Sequence, residues 1–506
     1  GFLTGALRAR WLTIAVTVGL FAAAVFGYRH VNQQFFPPSD RVELLVDLGL
    51  PQNASIHATE AVVDRFEAIL AEDPDVERWS SYIGQGVIRF YLPLDVKLRN
   101  PFFGQVVVIS KSFEARQALQ PRLEAILAER FPELVSRVAP LELGPPVGWP
   151  VQYRVVGPDL EEVRAIAVRL ADVVADHPAS RRVNFDWFEP TRELRVAVDQ
   201  DEARLLGLSS AAVAQALDSA ITGATVTQLR DDIYLIDVVA RATEDERVAL
   251  STLRSLQVPL PGGRAIPITQ FATIEPAQEY PQIWRRNRVP TLTVQADPAP
   301  GVQPETIVAE LEPAIAALNA ELPHGYAVEL GGIAEESAES RASVFAVVPL
   351  MLLLMLTILM VQLRSFLRLA VLLSVVPLGL IGVVGALLLS GRPLGFVAIL
   401  GILALMGMIA KNALILIEQI ETERAAGRNV EDAVVTAAAS RFRPIMLTAL
   451  STVLAMIPIA FTVFWGPMAF AIMGGLFVAT LLTLVFLPTL YFTVFRREDA
   501  AAGPDV

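Results

Sequence analysis

One cation stands where charge is costly. Lys411 lies within GILALMGMIAKNALILIE, a run with the apolar composition of a membrane-spanning helix. An ammonium there costs about 2.5–3.5 kcal/mol on insertion scales, so its default role is functional and its partner is expected inside the membrane. Opposite a carboxylate, such a lysine is held while that group is ionised and released once it is protonated. Glu418 follows seven residues on, about 10 Å along a helix axis at 1.5 Å per residue, too far for a direct pair along one helix. The alternative is a snorkelling lysine satisfied by water or by Glu418. Asn412 adjoins it, and Thr448, Ser451 and Thr452, at i, i+3 and i+4, form a polar stripe on the next apolar segment. Such a stripe serves helix packing or, facing Lys411, a hydrated proton path.

A second set of candidates is aromatic. Tyr82, Phe90, Tyr91, Phe102 and Phe103 crowd a segment that also holds Gly84, Gly86, Pro93 and Pro101. Pockets for organic ligands have apolar, aromatic walls with a few polar groups, so these five are candidate substrate contacts, with ordinary core as the competing account. Soft metals need thiolate or thioether ligands. The chain has no cysteine, no methionine between Arg29 and Pro349, and only the scattered His30, His57, His177 and His324, so neither a metal site nor copper or silver export is expected. A net charge of −12 without a basic patch excludes nucleic acid as a partner. No nucleophile–base pair or phosphate-binding glycine loop points to an enzyme, and no cofactor is implied.

These residues need elements to position them. Crossing about 30 Å of hydrocarbon takes about twenty apolar residues. Six segments qualify: Trp11–Tyr28, then Val344–Val361, Leu369–Ser390, Phe396–Gln419, Pro444–Phe464 and Met468–Phe495. Arg8 and Arg10, Arg364 and Arg368, Arg424, Arg428, Arg441 and Arg443, and Arg496 and Arg497 fall in short connections on one side, against Arg392 on the other. Positive charge marks the cytoplasmic side, so both termini are expected there and the long insert after the first helix is exported across the inner membrane. QQFFPPSD continues from the first helix without a cleavage site, so that helix is not a removable signal.

The insert repeats itself. Strand VELLVDLGL, helix Ser55–Ala71, strands VERWSSYIG and FGQVVVIS, helix Phe113–Phe131 and strand ELVSRVAPLEL follow the β-α-β-β-α-β order of a ferredoxin-like unit. The pattern restarts with PVQYRVVG, helix Leu160–His177, RRVNFDWF and LRVAVDQ, and it is completed by TLTVQADP, helix Pro304–Leu318 and YAVELGG. Between these pieces lies an insertion with its own helix at Ser210–Ile221, strands ATVTQLR and IYLIDVVA, and a Pro-Gly-Gly turn at Pro261–Gly263. The expected fold class is a six-helix membrane α-helical bundle carrying a large α+β periplasmic part, made of two ferredoxin-like subdomains and an inserted subdomain. The expected boundaries are 11–28 for the first transmembrane helix, 38–145 for the first subdomain, 146–198 with 283–335 for the split second one, 199–282 for the insertion, and 343–495 for the remaining helices.

From Trp11 to Phe495 the chain resembles the C-terminal half of a resistance-nodulation-division (RND) efflux permease of the multidrug type, which exports hydrophobic and amphiphilic compounds. The resemblance rests on QQFFPPSDRVELLVDLGLP, QLRSFLRLAVLLSVVPLGLIG, GMIAKNALILIEQI, SRFRPIMLTALSTVLAMIP and GGLFVATLLTLVFLPTLY. It implies a proton relay that uses Lys411 with Asn412 beside it, an arginine and a threonine matched by Arg441 and Thr448, and an acidic pair supplied by the family's N-terminal half. It implies that the aromatic region of the first subdomain borders the substrate cleft. It also implies a docking role for the insertion and four kinds of partner: an N-terminal permease half, two further copies in a trimer of the full permease, a periplasmic membrane-fusion (adaptor) protein, and an outer-membrane channel. Family members hold two such halves, so a fragment or a separated half is expected. A non-transporting or auxiliary subunit of a translocation system is the competing class; it would lose the polar intramembrane residues that this chain keeps.

Overall fold

The computed structural model describes residues 2–34, 36–37, 39–187, 190–243, 250–260 and 263–501. Phe35 and Pro38 of the QQFFPPSD string, and Pro261 and Gly262 of the Pro-Gly-Gly turn, lie outside the described residues, as does the side chain of Arg497.

A short helix, α1 (Phe2–Arg8), precedes the first long apolar helix, α2 (Arg10–Tyr28). The first unit of the α+β part then runs β1 (Glu43–Gly49), α3 (Ile56–Glu72), β2 (Val76–Ile83), β3 (Phe103–Ser110), α4 (Phe113–Arg130) and β4 (Val135–Pro140). Its helices start where side chains cap them: Ser55 accepts from the Ala58 amide and Ser112 from the Ala115 amide. The sheet order is β2-β3-β1-β4 with every pair antiparallel. Alternation along β1 buries Leu44, Val46 and Leu48 against Phe66, Leu119 and Leu123 of α3 and α4. The intervening residues, Leu45 and Asp47, therefore belong to the other face.

The second unit begins with β5 (Val151–Val156), α5 (Leu160–Ala175) and β6 (Ser180–Phe185). Its other half follows after residue 283, and the residues between form a separate compact unit, Trp187–Ile283. That unit holds β7 (Thr191–Val198), α6 (Gln200–Leu205), α7 (Ser210–Ile221), the hairpin β8 (Ala224–Asp231) and β9 (Tyr234–Ala240), α8 (Leu250–Ser255), β10 (Gln257–Pro259), β11 (Ala265–Pro267) and β12 (Ala272–Glu279). Val213, Val258, Ile268 and Phe271 are among its buried core residues. β7 was expected within the second ferredoxin-like unit, with the insertion starting at residue 199. It instead pairs along its whole length with β12, from Thr191 opposite Glu279 to Val198 opposite Ala272. The boundary therefore moves to Trp187: alternation identifies a strand but leaves its partner open.

Beyond the inserted unit come β13 (Arg285–Arg286), β14 (Val289–Pro298), α9 (Pro304–Glu321) and β15 (Ala327–Gly331). β14 pairs with both β6 and β5, and β5 with β15, so the second sheet runs β6-β14-β5-β15, the same order as the first. β15 passes straight into α10 (Gly332–Leu363) with no intervening loop. Gly332 has φ +71°, and a Cβ there would sit 2.5 Å from the Pro150 carbonyl oxygen, so only glycine fits this joint.

The remaining elements are α11 (Phe366–Leu373), α12 (Gly379–Ser390), α13 (Phe396–Ala425), α14 (Val430–Ala460) and α15 (Gly466–Ala501). With a short 3-10 turn joining α11 to α12, six helical segments are long and apolar enough to cross a membrane. α15 packs against α12, α13 and α14. Contact with α12 is made backbone to backbone: a Cβ on Gly382 would lie 2.0 Å from the Gly474 carbonyl oxygen. Two expected boundaries shift. α10 starts twelve residues before the apolar run because it continues from β15, and α14 starts at Val430, where Asn429 caps it by accepting from the Asp432 amide at 2.7 Å. Arg441, expected in a connection, thus lies within a helix.

Candidate functional site

Lys411 sits on an exposed stripe of α13 formed by Ala404, Gly407, Lys411 and Glu418, while Ile409, Asn412, Ala413 and Leu416 face the bundle. Neighbours in sequence point apart on a helix, so Asn412 is buried and Lys411 is not. Among the described residues Lys411 has no ion pair and no hydrogen bond. Glu418 instead accepts from Gln362 Nε2 of α10 at 3.3 Å, and the Lys411–Glu418 pair does not form.

Arg441 reaches across from α14 and donates from Nε and Nη2 to Gln419 Oε1 at 3.1 and 2.7 Å. This contact fixes the antiparallel register of α13 and α14. Eight residues back along α13 is Lys411 and seven along α14 is Thr448, about 12 and 10 Å away respectively, so the two lie at similar depth. Thr448 donates to the Ile445 carbonyl at 2.9 Å, and Ser451 and Thr452 both donate to the Thr448 carbonyl at 3.0 and 2.9 Å. The stripe's hydroxyls are thus satisfied by their own helix. Arg441 belongs to the end of α13 rather than to the lysine's level. At that end Glu421 is held by Arg368 at 2.7 Å, by Arg424 at 3.8 Å and by the buried Tyr491 hydroxyl, which ties α11, α13 and α15 together.

A second constellation lies in the first α+β unit, on the sheet face away from its helices. Cross-strand register places Tyr82 opposite Gln105, Gln105 opposite Asp47, and Asp47 opposite Arg137, one residue from each strand in a continuous row. Gln105 donates to Asp47 Oδ1 at 2.6 Å and accepts from the Val87 amide at 2.8 Å, which pins the β2–β3 connection over the row. That connection brings Lys97, whose ammonium is 2.6 Å from Asp95 and 3.9 Å from Asp47. Asp47, Gln105, Arg137, Asp95 and Lys97, together with Tyr91, Glu142 and Gly148, line a small open cavity of about 30 Å³.

Electrostatics in the cavity follow from burial and pairing. For Lys97, burial works against the charge, but Asp47 and Asp95 outweigh it and raise the ammonium above its usual range. Glu142 is also raised, by burial first, with Arg137 opposing; its Oε2 accepts from the Val147 amide at 3.1 Å. Burial, then the charge of Glu142, pushes Tyr91 up to about 12. The Tyr91 hydroxyl is buried without a hydrogen-bond partner among the described residues.

The five aromatic candidates do not form one wall. Tyr82 and Tyr91 pack beside Val87, Leu94, Val107 and Leu141 on the cavity face, whereas Phe102 joins the core beneath α3 and α4. Phe90 is exposed, and Phe103 starts β3 opposite Gly49. Sequence reasoning missed Asp47, Lys97, Gln105, Arg137 and Glu142, since no spacing in the chain announces a cross-strand row. It also missed Gln419, Glu421 and Tyr491; Glu421 and Arg424 at i, i+3 in an otherwise apolar helix were the available signal.

Six helices long and apolar enough to cross a membrane, together with an α+β part built from two like-ordered sheets, define the architecture of a multi-pass membrane protein. The chain belongs to the AcrB/AcrD/AcrF family, the RND permeases, whose family model matches residues 1–495; members of this family are secondary active transporters. It is 25% identical over 499 residues to the multidrug export protein AcrF of Escherichia coli, covering 94% of this chain and 47% of that protein. It is 28% identical over 382 residues to the cobalt-zinc-cadmium resistance protein CzcA of Cupriavidus metallidurans, covering 74% and 35%. A crystal structure of a heavy metal efflux pump superposes with a TM-score of 0.78 at 24% identity, covering 97% of this chain and 52% of that one, a likeness of fold. The chain thus spans about half the length of the relatives it matches.

Proposed function

We propose that this chain is one half of a proton-driven inner-membrane efflux permease for hydrophobic or amphiphilic organic compounds. The carrying observation is Lys411: a lysine on the outer stripe of α13, with no partner among the described residues and at the depth of Thr448. Against lipid such an ammonium is costly, and an acidic surface of another polypeptide would offset that cost. In this reading carboxylates from an N-terminal half pair with Lys411 when ionised and release it on protonation, and the lysine then turns towards Thr448. Asn412 supports the lysine's helix from inside, and Arg441 with Gln419 holds α13 against α14. Helix movement reaches the α+β part through α10.

The test is Lys411→Ala in the intact transporter, with substrate efflux followed in proteoliposomes under an imposed proton gradient. Assembly with wild-type yield and efflux at background is expected; undiminished efflux would sink the proposal. The periplasmic placement of the α+β part, cytoplasmic termini, a trimeric full permease, docking of the inserted unit at an outer-membrane channel and contact of the paired units with an adaptor protein are parts of the same proposal. Cysteine labelling from either side of the membrane checks the first two.

A second reading, metal export, is favoured by the similarity to CzcA and by the carboxylates of the cavity. Geometry favours an organic substrate instead. The Lys97 ammonium occupies the position a cation would take beside Asp95, 2.6 Å from its carboxylate. Efflux of zinc ions but of no organic amphiphile would reverse the choice.

A further inference from the structure

Between α2 and β1 the chain stops at another helix on its way. The Leu394 amide donates to the Asn32 carbonyl at 2.7 Å and the Gln34 amide to the Leu394 carbonyl at 3.3 Å, so Gln33 and Leu394 pair as a short parallel bridge. Leu394 is buried and stands just before Phe396, the first residue of α13. Phe36 comes next, with its ring centroid 5.7 Å from that of Phe396. The same ring lies against the connection 141–150 between β4 and β5. A Cβ on Gly144 would sit 2.5 Å from Phe36 Cγ and 2.7 Å from Cδ2. Gly144 is not in the left-handed region, so its missing side chain makes room for the ring and serves no turn.

Past the ring the segment is fastened again. The Ser39 amide donates to the Leu141 carbonyl at 3.2 Å, and the buried Arg116 of α4 donates from Nη1 to the Ser39 and Arg41 carbonyls, both at 2.6 Å. The described residues of 32–41 thus touch three places: the start of α13, the connection 141–150, and α4. That connection ends at Pro150, whose carbonyl accepts from the Ile333 amide at the head of α10. Two membrane helices therefore meet the α+β part on one short segment. One of them carries Lys411, fifteen residues beyond Phe396 and about 22 Å along the axis.

We propose that Phe36 is a positioning residue for the transport cycle: it seats α13 on the connection between the two α+β units, beside the route through α10. A close-packed ring resists compression and passes a small displacement on, while the Gln33–Leu394 bridge resists separation. A shift of α13 that starts at Lys411 then reaches residues 141–150 through Phe396, Phe36 and Gly144. Without the ring, α13 can shift on the proton step and leave the connection behind. The driving step rests on the proposed function; the seat rests on the contacts alone.

The test uses the intact transporter in proteoliposomes under an imposed proton gradient, with the amphiphilic dye rhodamine 6G as substrate and an entrapped pH indicator. Phe36→Ala should lower maximal dye efflux about tenfold with the half-saturating concentration within about twofold, and proton influx should fall less, so that more protons cross per dye molecule. A merely structural loss would slow both fluxes in proportion. Gly144→Ala drives a methyl into the ring and should also lose efflux, and Phe36→Leu combined with Gly144→Ala should recover most of it. At equilibrium without a gradient, hydrogen exchange of the Gln34, Ser39 and Leu394 amides should quicken in Phe36→Ala and return towards wild type in the double variant. If Phe36→Ala does not accumulate, Gly144→Ala and the double variant carry the comparison. Efflux by Phe36→Ala at the wild-type rate, an unchanged ratio of protons to dye, or a double variant worse than either single one would overturn the assignment. A wild type that moves no dye or no protons counts against the proposed function instead; unchanged exchange in Phe36→Ala would then overturn the seat as well.

Discussion

Two lysines in this chain are treated in opposite ways. Lys97, in the α+β part, is matched by Asp95 and Asp47 within its own unit, and its side chain is 28% exposed. Lys411, in the membrane part, has no matching group among the described residues. Burial penalises the first charge, and two carboxylates of its own unit outweigh the penalty; the second has no such offset among the described residues. The part that meets water completes its own electrostatics, so its lysine serves local order. The part that meets lipid leaves one lysine unmatched among the described residues, the charge that the proposed proton relay would use.

Removing the same charge in both places breaks or sharpens this contrast. Lys411→Ala should abolish efflux while leaving the melting temperature of the purified protein within a degree or two, about the scatter expected of a surface change. If that substitution mainly unfolds the protein, the contrast fails. Packing rather than pairing should hold the membrane part: Gly382→Val drives a side chain into the Gly474 carbonyl and should cost about 3 kcal/mol, seen as loss of folded protein in detergent. Lys97→Met strands Asp95 and half of Asp47's partners. It should cost about 2 kcal/mol by thermal unfolding, and efflux should be reduced rather than lost.

The smallest effect tests the electrostatics of the cavity through pH. Glu142 is raised from 4.5 by burial, so the folded protein holds its proton more tightly than the unfolded chain does. That contribution is complete below 4.5 and is lost as pH rises through the raised value. Glu142→Gln removes the buried charge, and the variant should melt slightly higher than the wild type at pH 7. Its advantage should disappear as pH falls below 4.5. An advantage that grows on acidification would contradict the assigned direction.

How much of this was legible in the chain depends on the range of the interaction involved. Apolar length alone locates the membrane helices, and Ser55 and Ser112 mark helix starts through contacts three residues away. Lys411 is conspicuous because its cost is local. The row Tyr82–Gln105–Asp47–Arg137 is not, since it is written in the register of four strands whose pairing order differs from their chain order. The same ambiguity assigned β7 to the wrong sheet. Aromatic crowding around Gly84 and Pro101 was visible, but the sheet divides those rings between two faces, and one of them is core.

The joint at Gly332 has a mechanical meaning. A loop between β15 and α10 would act as slack and absorb a small tilt of the helix. Here strand and helix are one continuous shaft, pinned by the Ile333 amide on the Pro150 carbonyl at 3.0 Å. The helix is about 48 Å long at 1.5 Å per residue. In the proposed cycle, rotation of this helix in the bilayer would reach the strand that borders β5 with no loop to take it up, and Pro349 is the one point along the helix where it could bend.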